Sequence, residues 1–162
     1  GNATLTAYDQ KPILSTDPWM GRDSYPFFGS WQMPYDIPNN IREDIIKSEY
    51  IWFSHGHQDH LNPDSLHLFK NNKILISDHF GSRIYKDLKS ENFKVTILKD
   101  RKWINLSKNI SIMPISTKIQ DTILLLRVNN DVFINLNDAG PYSSRFIKKT
   151  TSKFSSIKRT GD

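Results

Sequence analysis

Apolar residues fall along this chain in short blocks, and the spacing inside each block sets the element it predicts. Thr4-Leu5-Thr6-Ala7-Tyr8 and Pro12-Ile13-Leu14-Ser15 read as the strands of a hairpin around the turn Asp9-Gln10-Lys11. Ile51-Trp52-Phe53, Lys73-Ile74-Leu75-Ile76-Ser77 and Lys94-Val95-Thr96-Ile97-Leu98 are brief runs of β-branched, aliphatic and aromatic residues that suit buried strands. Helical signals separate them. Ile41 and Ile45 are spaced for one helix face after Asn40, a good N-cap, and predict a helix over Ile41–Lys47. Asn62-Pro63-Asp64 reads as an N-cap, a first-turn proline and an acidic first turn, with Leu66, Leu68 and Phe69 supplying the apolar face. A third helix is expected from about Ser82 to Ser90. Asn109–Pro114, Ile123–Val128 and Val132–Leu136 then read as antiparallel strands, the last two joined by the turn Asn129-Asn130-Asp131. Tyr142–Lys149 is a further candidate helix.

Strands first alternate with helices and then follow one another, which predicts a mixed α/β layering with helices packed against sheets. A chain of 162 residues suggests one domain with a real core. The segment from Thr16 to Pro38 breaks the rhythm. It is a long loop holding Trp19, Tyr25, Phe27, Phe28, Trp31 and Tyr35. Such aromatics either wall a pocket or anchor the loop on the core.

Composition narrows the chemistry. There is no cysteine, so disulfides and thiolate metal sites are excluded and any metal must be held by nitrogen and oxygen. That usage fits a cytoplasmic protein. No apolar run reaches the length of a membrane span, and Gly1-Asn2-Ala3-Thr4 has no leader pattern. The first residue is not Met, which fits a processed piece or a fragment. The net charge of +5 is concentrated after Pro141, in Arg145, Lys148, Lys149, Lys153, Lys158 and Arg159 against Asp162. We read this as a solvated tail rather than a phosphate-binding patch, which speaks against nucleic acid as a partner.

Three of the five histidines lie in one stretch, Ser54-His55-Gly56-His57-Gln58-Asp59-His60, directly after the strand Ile51-Trp52-Phe53. Neutral imidazole and carboxylate are the usual non-sulfur ligands of zinc and non-haem iron. In an extended loop His55 and His57 point the same way and can share one ion. Asp59 and His60 fall where the next helix begins, so they turn toward a second point nearby. Two adjacent ions can clamp both the attacking and the leaving oxygen and acidify a water.

Ser54-His55-Gly56-His57-Gln58-Asp59-His60-Leu61 resembles the signature of the metallo-β-lactamase superfamily. Ile13-Leu14-Ser15-Thr16-Asp17-Pro18-Trp19 is similar to the family's second strand. Val132-Phe133-Ile134-Asn135-Leu136-Asn137-Asp138 is similar to the later strand that ends in a metal-bridging aspartate. The Asp-Pro-Trp, the aromatic loop and the Asn-x-Asn-Asp ending are most similar to the branch containing CMP-N-acetylneuraminate hydroxylase, and less close to L-ascorbate-6-phosphate lactonase and N-acyl phosphatidylethanolamine phospholipase D.

The resemblance implies an αββα sandwich. It makes residues 1–140 an incomplete domain of that type, with 141–162 a basic helix or tail leading into the missing second half. Half a sandwich would leave a sheet edge and an apolar face open. The resemblance makes His55 and His57 ligands of one metal, Asp59 and His60 ligands of a second, and Asp138 the bridge. Asp17 becomes the carboxylate that orients ligands from behind. Asp59 and His60 are the catalytic candidates, and Trp19, Trp31 and Asn137 the candidates for lining a substrate pocket.

The activity expected is that of a metallohydrolase, with zinc, as one or two ions, activating a water against an ester, lactone or phosphoester. Two alternatives stay open. One is an iron-dependent, oxygenase-like domain acting on a sugar nucleotide, although that branch pairs the domain with an iron–sulfur domain and no cysteine here can hold a cluster. The other is a non-catalytic relative that binds a partner. Either enzyme reading implies a small-molecule substrate, phosphorylated or sugar-nucleotide in kind. One departure stands out: the family's third histidine belongs near Met113-Pro114-Ile115-Ser116, where none is present. The alternatives are a weakly held first metal, a substitute ligand such as Asp121, or no first metal. His67 and His79 read as structural or surface residues.

Overall fold

The computed structural model describes residues 3–21, 25–117, 121–140 and 148. Two sheets stack face to face. The first has the order β1-β2-β3-β4-β5, formed by β1 (Thr6–Asp9), β2 (Lys11–Thr16), β3 (Tyr50–Phe53), β4 (Lys73–Ser77) and β5 (Lys94–Leu98). β1 and β2 are an antiparallel hairpin turned at Gln10, and β2 to β5 run parallel. Parallel neighbours need crossovers. These are the aromatic loop with α1 (Asn39–Lys47), the single turn α2 (Pro63–Leu66) with a 3-10 turn at His67–Phe69, and α3 (Arg83–Ser90). The second sheet is antiparallel, in the order β6 (Ile104–Asn105), β7 (Ile110–Ser116), β8 (Thr122–Val128), β9 (Asp131–Asn135).

Side chains alternate across each strand and so feed two cores. Trp52 of β3 and Leu75 of β4 point to the second sheet, where they meet Ile110, Ile112, Leu124 and Leu126. Their neighbours Ile51, Phe53, Ile74 and Ile76 point the other way, to Ile45 of α1, Phe69 and Leu88 of α3. The first sheet is thus covered on both faces, as parallel strands require. The second sheet turns Met113, Ile115, Ile123, Leu125 and Val132 to its outer face, where Trp103 packs. Leu14, Trp52, Ile74 and Leu124 are fully buried. Each such side chain contributes on the order of 1.5–3 kcal/mol by leaving water.

The strands lie within one or two residues of where the hydrophobic blocks place them, while α1, the turn after Asn62 and β6 differ. α1 begins at Asn39 rather than Ile41, and Asn40 is not its cap. Pro38 holds the cap position in an extended conformation, and its carbonyl accepts the Arg42 N–H, which puts Asn39 and Asn40 inside the first turn. The segment after Asn62 is one α-turn followed by a 3-10 turn, not a full helix, although Phe69 is buried as expected. β6 has only two residues, too few to leave a periodic signal. The stretch Tyr142–Lys149 lies outside the described residues except for Lys148. No helix among the described residues is long and apolar enough to cross a membrane.

Candidate metal centre

The parallel strands deliver the site. β2, β3 and β4 all end at the same rim, a position where open α/β sheets gather functional residues. β2 runs out at Asp17, β3 at Ser54-His55, and β4 just before His79. β7, β8 and β9 alternate in direction, so the end of β7, the start of β8 and the end of β9 share the rim of the second sheet. Asp121 precedes β8 there, and Asp138 follows β9.

Asp17 is locked before it touches any ligand. Its N–H bonds Trp52 O at 2.8 Å, and its carbonyl accepts from Trp19 N and Thr4 Oγ1, both at 2.9 Å. Its φ of 40° ends the strand in a left-handed turn that Asp tolerates better than most residues. The side chain, fully buried, reaches across to the loop after β3. Oδ1 accepts the Ser54 N–H at 2.7 Å, and Oδ2 lies 3.2 Å from His60 Nδ1.

The histidine loop then folds tightly on itself. His60 N and Leu61 N both donate to His57 O. Asn62 caps α2 through Ser65 N at 2.8 Å and also donates from Nδ2 to Gln58 O at 3.0 Å, so one residue starts the helix and closes the loop. Gly56 is pressed against α3: a Cβ there would stand 3.2 Å from Ile84 Cδ1. Gln58 Oε1 takes the Phe27 N–H at 2.5 Å and pins the aromatic loop to the histidine loop.

The Asn-x-Asn-Asp segment builds the opposite wall. Asn135 Oδ1 accepts Asn137 N at 3.0 Å, and Asn137 Oδ1 accepts Asp138 N at 2.7 Å. Asn137 Nδ2 donates to Thr122 O at 2.6 Å, and its φ is 40°. Asn135 Nδ2 reaches Thr16 Oγ1 at 3.2 Å, which ties the end of β9 to the end of β2. These amide turns carry Asp138 over the histidines.

Three ligand atoms converge there. His55 Nε2, His60 Nε2 and Asp138 Oδ2 come within reach of one cation, with the three residues' donor atoms all within 4.8 Å of one another. Asp138 Oδ2 is 3.2 Å from His60 Nε2 and 3.6 Å from His55 Nε2. Asp59 Oδ2 lies 3.5 Å from His60 Nε2. His57 Nδ1 faces His55 Nε2 at 2.7 Å. His55, Asp59 and His60 are buried, whereas Asp138 is 46% exposed and opens to solvent. His60 Nε2 is a buried nitrogen with no hydrogen-bond partner among the described residues. A buried polar atom left this way costs stability unless something satisfies it. Two imidazoles and a carboxylate aimed at one point suit a divalent cation in charge and donor type.

The two buried rings are tuned apart. Burial pushes the His55 pKa down, and the charge of His60 pushes the same way, only partly offset by Asp121. Burial also works against a charged His60, but Asp17, then Asp138 and Asp59, outweigh it and raise that pKa.

Asp121 Oδ1 lies 3.9 Å from His55 Nδ1, on the far side of the ring from the converging Nε2. His67 is exposed on its 3-10 turn. His79 is buried and sets its Nε2 3.1 Å from Ser54 O, beneath the loop. Trp19 is buried and Trp31 half-exposed, and both line a cleft of about 490 Å³ whose remaining wall is formed within residues 30–35. Asn137 holds its amide on Thr122 O. Sequence reasoning assigned no role to Ser54, which opens the motif, or to Asn135; the adjacency of each to a named ligand segment was the available signal.

No family model matches the sequence. Among curated proteins, the cytidine monophosphate-N-acetylneuraminic acid hydroxylase of Asterias rubens is 28% identical over 107 residues, which cover 62% of this chain and 16% of that protein. Among solved structures, a possible metal-dependent hydrolase from Veillonella parvula superposes with a TM-score of 0.69 at 15% identity, covering 94% of this chain and 65% of that one. An isothiocyanate hydrolase from Delia radicum gut bacteria gives 0.62 at 16%, covering 94% and 66%. A metallo hydrolase from the archaeon Ignicoccus hospitalis gives 0.63 at 18%, covering 92% and 63%. The chain thus spans somewhat less than two thirds of these solved structures and about a sixth of the curated relative. With its two stacked sheets and its histidine loop at their shared rim, the chain has the fold of the metal-dependent hydrolases of the metallo-β-lactamase type.

Proposed function

We propose that this chain is the metal-binding part of a metal-dependent hydrolase acting on a small molecule with an ester, lactone or phosphoester bond. The observation that carries the reading is the convergence of His55, His60 and Asp138, with His60 Nε2 buried and without a hydrogen bond among the described residues. His55 and His57 would hold one ion and Asp59 and His60 a second, with Asp138 between them. Asp138 Oδ2, 3.6 Å from His55 Nε2 and 3.2 Å from His60 Nε2, supports its place between the two pairs. A bound zinc supplies Lewis acidity and lowers the pKa of a water it holds to about 7.

The chain's own residues do the rest. Asp17 keeps a proton on the Nδ1 side of His60, so Nε2 faces the centre as a lone pair. Asp138 is exposed at the mouth, on the side from which a substrate would approach, and Asp59 and His60 remain the catalytic candidates behind it. Trp31, half-exposed in the cleft that Trp19 also lines, would offer apolar surface to a substrate. Buried strands on both faces keep the histidines fixed while the aromatic loop, tied through Gln58, forms the wall.

A second reading is an iron-dependent oxidative domain acting on a sugar nucleotide. Two histidines and one carboxylate with an open side are a donor set that also suits non-haem iron. The curated relative's similarity favours it.

Elemental analysis of protein purified without added metal tests both. About one or two equivalents of zinc per chain support the hydrolase, and iron supports the second reading. No metal after zinc is supplied overturns both and leaves a non-catalytic relative.

A further inference from the structure

We propose that the second sheet carries a phosphate-binding site at the end remote from the metal centre, built around Arg127, Lys108 and Ser111. It stands independently of the metal-centre reading.

Strand register places the site. β7 and β8 pair Ser111 with Arg127, and β6 and β7 pair Asn105 with Ser111, so three polar side chains form one row across the sheet. Alternation puts that row on the outer face, with Met113, Leu125 and Trp103. Along β8, the step from Thr122 at the metal rim to Arg127 spans roughly 17 Å at about 3.3 Å per residue.

Two turns close the row into a cavity of about 410 Å³. Asn129 N donates to Asn109 O at 2.8 Å, which joins the β8–β9 turn to the β6–β7 turn. Ser107 Oγ braces the second of these by accepting Ile110 N at 3.1 Å and bonding Asp9 Oδ2 at 2.6 Å. Asn105, Asn129 and Asn130 complete the wall.

The charge in this cavity is one-sided. Lys108 and Arg127 line it, and among the described residues no carboxylate does. Two acids stand near. Asp9 is held low by Ser107 and Asn109, with a contribution from the charge of Lys108, but its oxygens are taken by Ser107 Oγ at 2.6 Å and Asn109 Nδ2 at 2.9 Å. Asp131 follows the Asn129-Asn130 turn and is exposed.

Arg127 is held ready. Its Cζ lies 4.0 Å over the Trp103 ring, so one face of the guanidinium is stacked and its in-plane N–H groups stay open to a ligand. Ser111 is the sharper sign. It is only 7% exposed and lines the cavity, and its hydroxyl has no hydrogen-bond partner among the described residues. Buried hydroxyls are normally satisfied. A solvated sheet face accounts for an exposed lysine, but not for a buried serine paired with a stacked arginine.

Two cations with hydroxyl and carboxamide groups and no acid select an oxyanion, and the planar guanidinium fork matches phosphate. Two positive charges balance a phosphate dianion better than a single carboxylate. The cavity is also roomy enough for an organic group beyond the anion. The ligand is therefore a phosphate group, free or carried on a small ester.

Amide-resolved nitrogen-15 NMR of the full chain, titrated with inorganic phosphate, glucose 6-phosphate and glucose, tests this. Phosphate is expected to shift the amides of residues 105–111 and 127–131. Shifts confined to the histidine loop and Asp138, or none at millimolar phosphate, overturn the proposal. So does glucose that shifts the same amides as strongly as its phosphate. Free phosphate binding as well as glucose 6-phosphate, or better, supports the proposal with the free anion as ligand; a tighter glucose 6-phosphate supports it with an ester. Arg127→Gln is expected to weaken phosphate binding roughly 10- to 100-fold, the worth of a hydrogen bond to a charged group. Ser111→Ala is expected to weaken it several-fold and to keep the fold. Unchanged affinity in either variant overturns the proposal, and if Arg127→Gln does not fold, Ser111→Ala decides alone.

Discussion

Asp17→Asn removes one negative charge from the base of the centre and alters almost nothing else in shape. Asparagine keeps one oxygen, which can go on accepting the Ser54 N–H now held at 2.7 Å. The amide nitrogen then replaces Oδ2, 3.2 Å from His60 Nδ1. Two N–H groups cannot face each other, so His60 must either give up Nδ1–H or swing away. Giving it up places the proton on Nε2, the atom that faces Asp138 and Asp59 at 3.2 and 3.5 Å. The ligand is lost without any ligand having been mutated.

Outer-shell partners of this kind are worth roughly 10- to 100-fold in metal affinity, or about 1.4–2.7 kcal/mol. Folding stability should move less. A hydrogen bond to a charged group is worth about 1.5–3 kcal/mol, but removing a fully buried carboxylate also relieves its desolvation. Affinity is therefore the cleaner readout. The assay is a zinc titration against a chromophoric chelator at fixed pH and salt, with far-ultraviolet circular dichroism to show that the fold is kept. A folded Asp17→Asn chain that binds zinc within about twofold of wild type would refute the reasoning, because the charge of Asp17 would then have no hold on His60.

Two further outcomes follow from the same contacts. Asn62→Ala removes a helix cap and the tie to Gln58 O together, so denaturant unfolding should show a loss of about 1–2 kcal/mol; a loss confined to a few tenths would show that neither bond matters. Asp9 is held below its ordinary value of 3.8 by Ser107 and Asn109, whose contacts at 2.6 and 2.9 Å join the β1–β2 hairpin to the second sheet. Its contribution is present above about pH 3.8 and is lost as pH falls through the lower folded value, so Asp9→Asn should flatten that part of the acid-unfolding curve; an unchanged acid limb would contradict it.

Much of this protein was legible in one dimension. β3 and β4 announce themselves because strands buried on both faces must be apolar nearly throughout, and they are short enough to stand out between polar turns. The histidine loop was legible because metal-ligating residue types are rare and were placed next to a strand end. Boundaries were less so. Pro38 displaced the start of α1, since a proline that closes the first turn with its carbonyl overrides the cap preference of Asn40.

What the sequence by itself determined is local: which blocks bury, where the chain turns, and which side chains carry chemistry. Only the tertiary structure decided what those side chains face. Asp17, Ser54 and Asp138 are separated by scores of residues, and nothing in their spacing says that one oxygen of Asp17 holds Ser54 N while the other faces His60, or that Asp138 closes over both histidines. Asp121 shows the difference most plainly. By position it was one candidate to replace the missing histidine, and the fold sets it 3.9 Å from Nδ1 of His55, behind the ring. The reason is physical: pairing two sheets fixes which strand ends share a rim, and ring orientation depends on hydrogen bonds that span the stack.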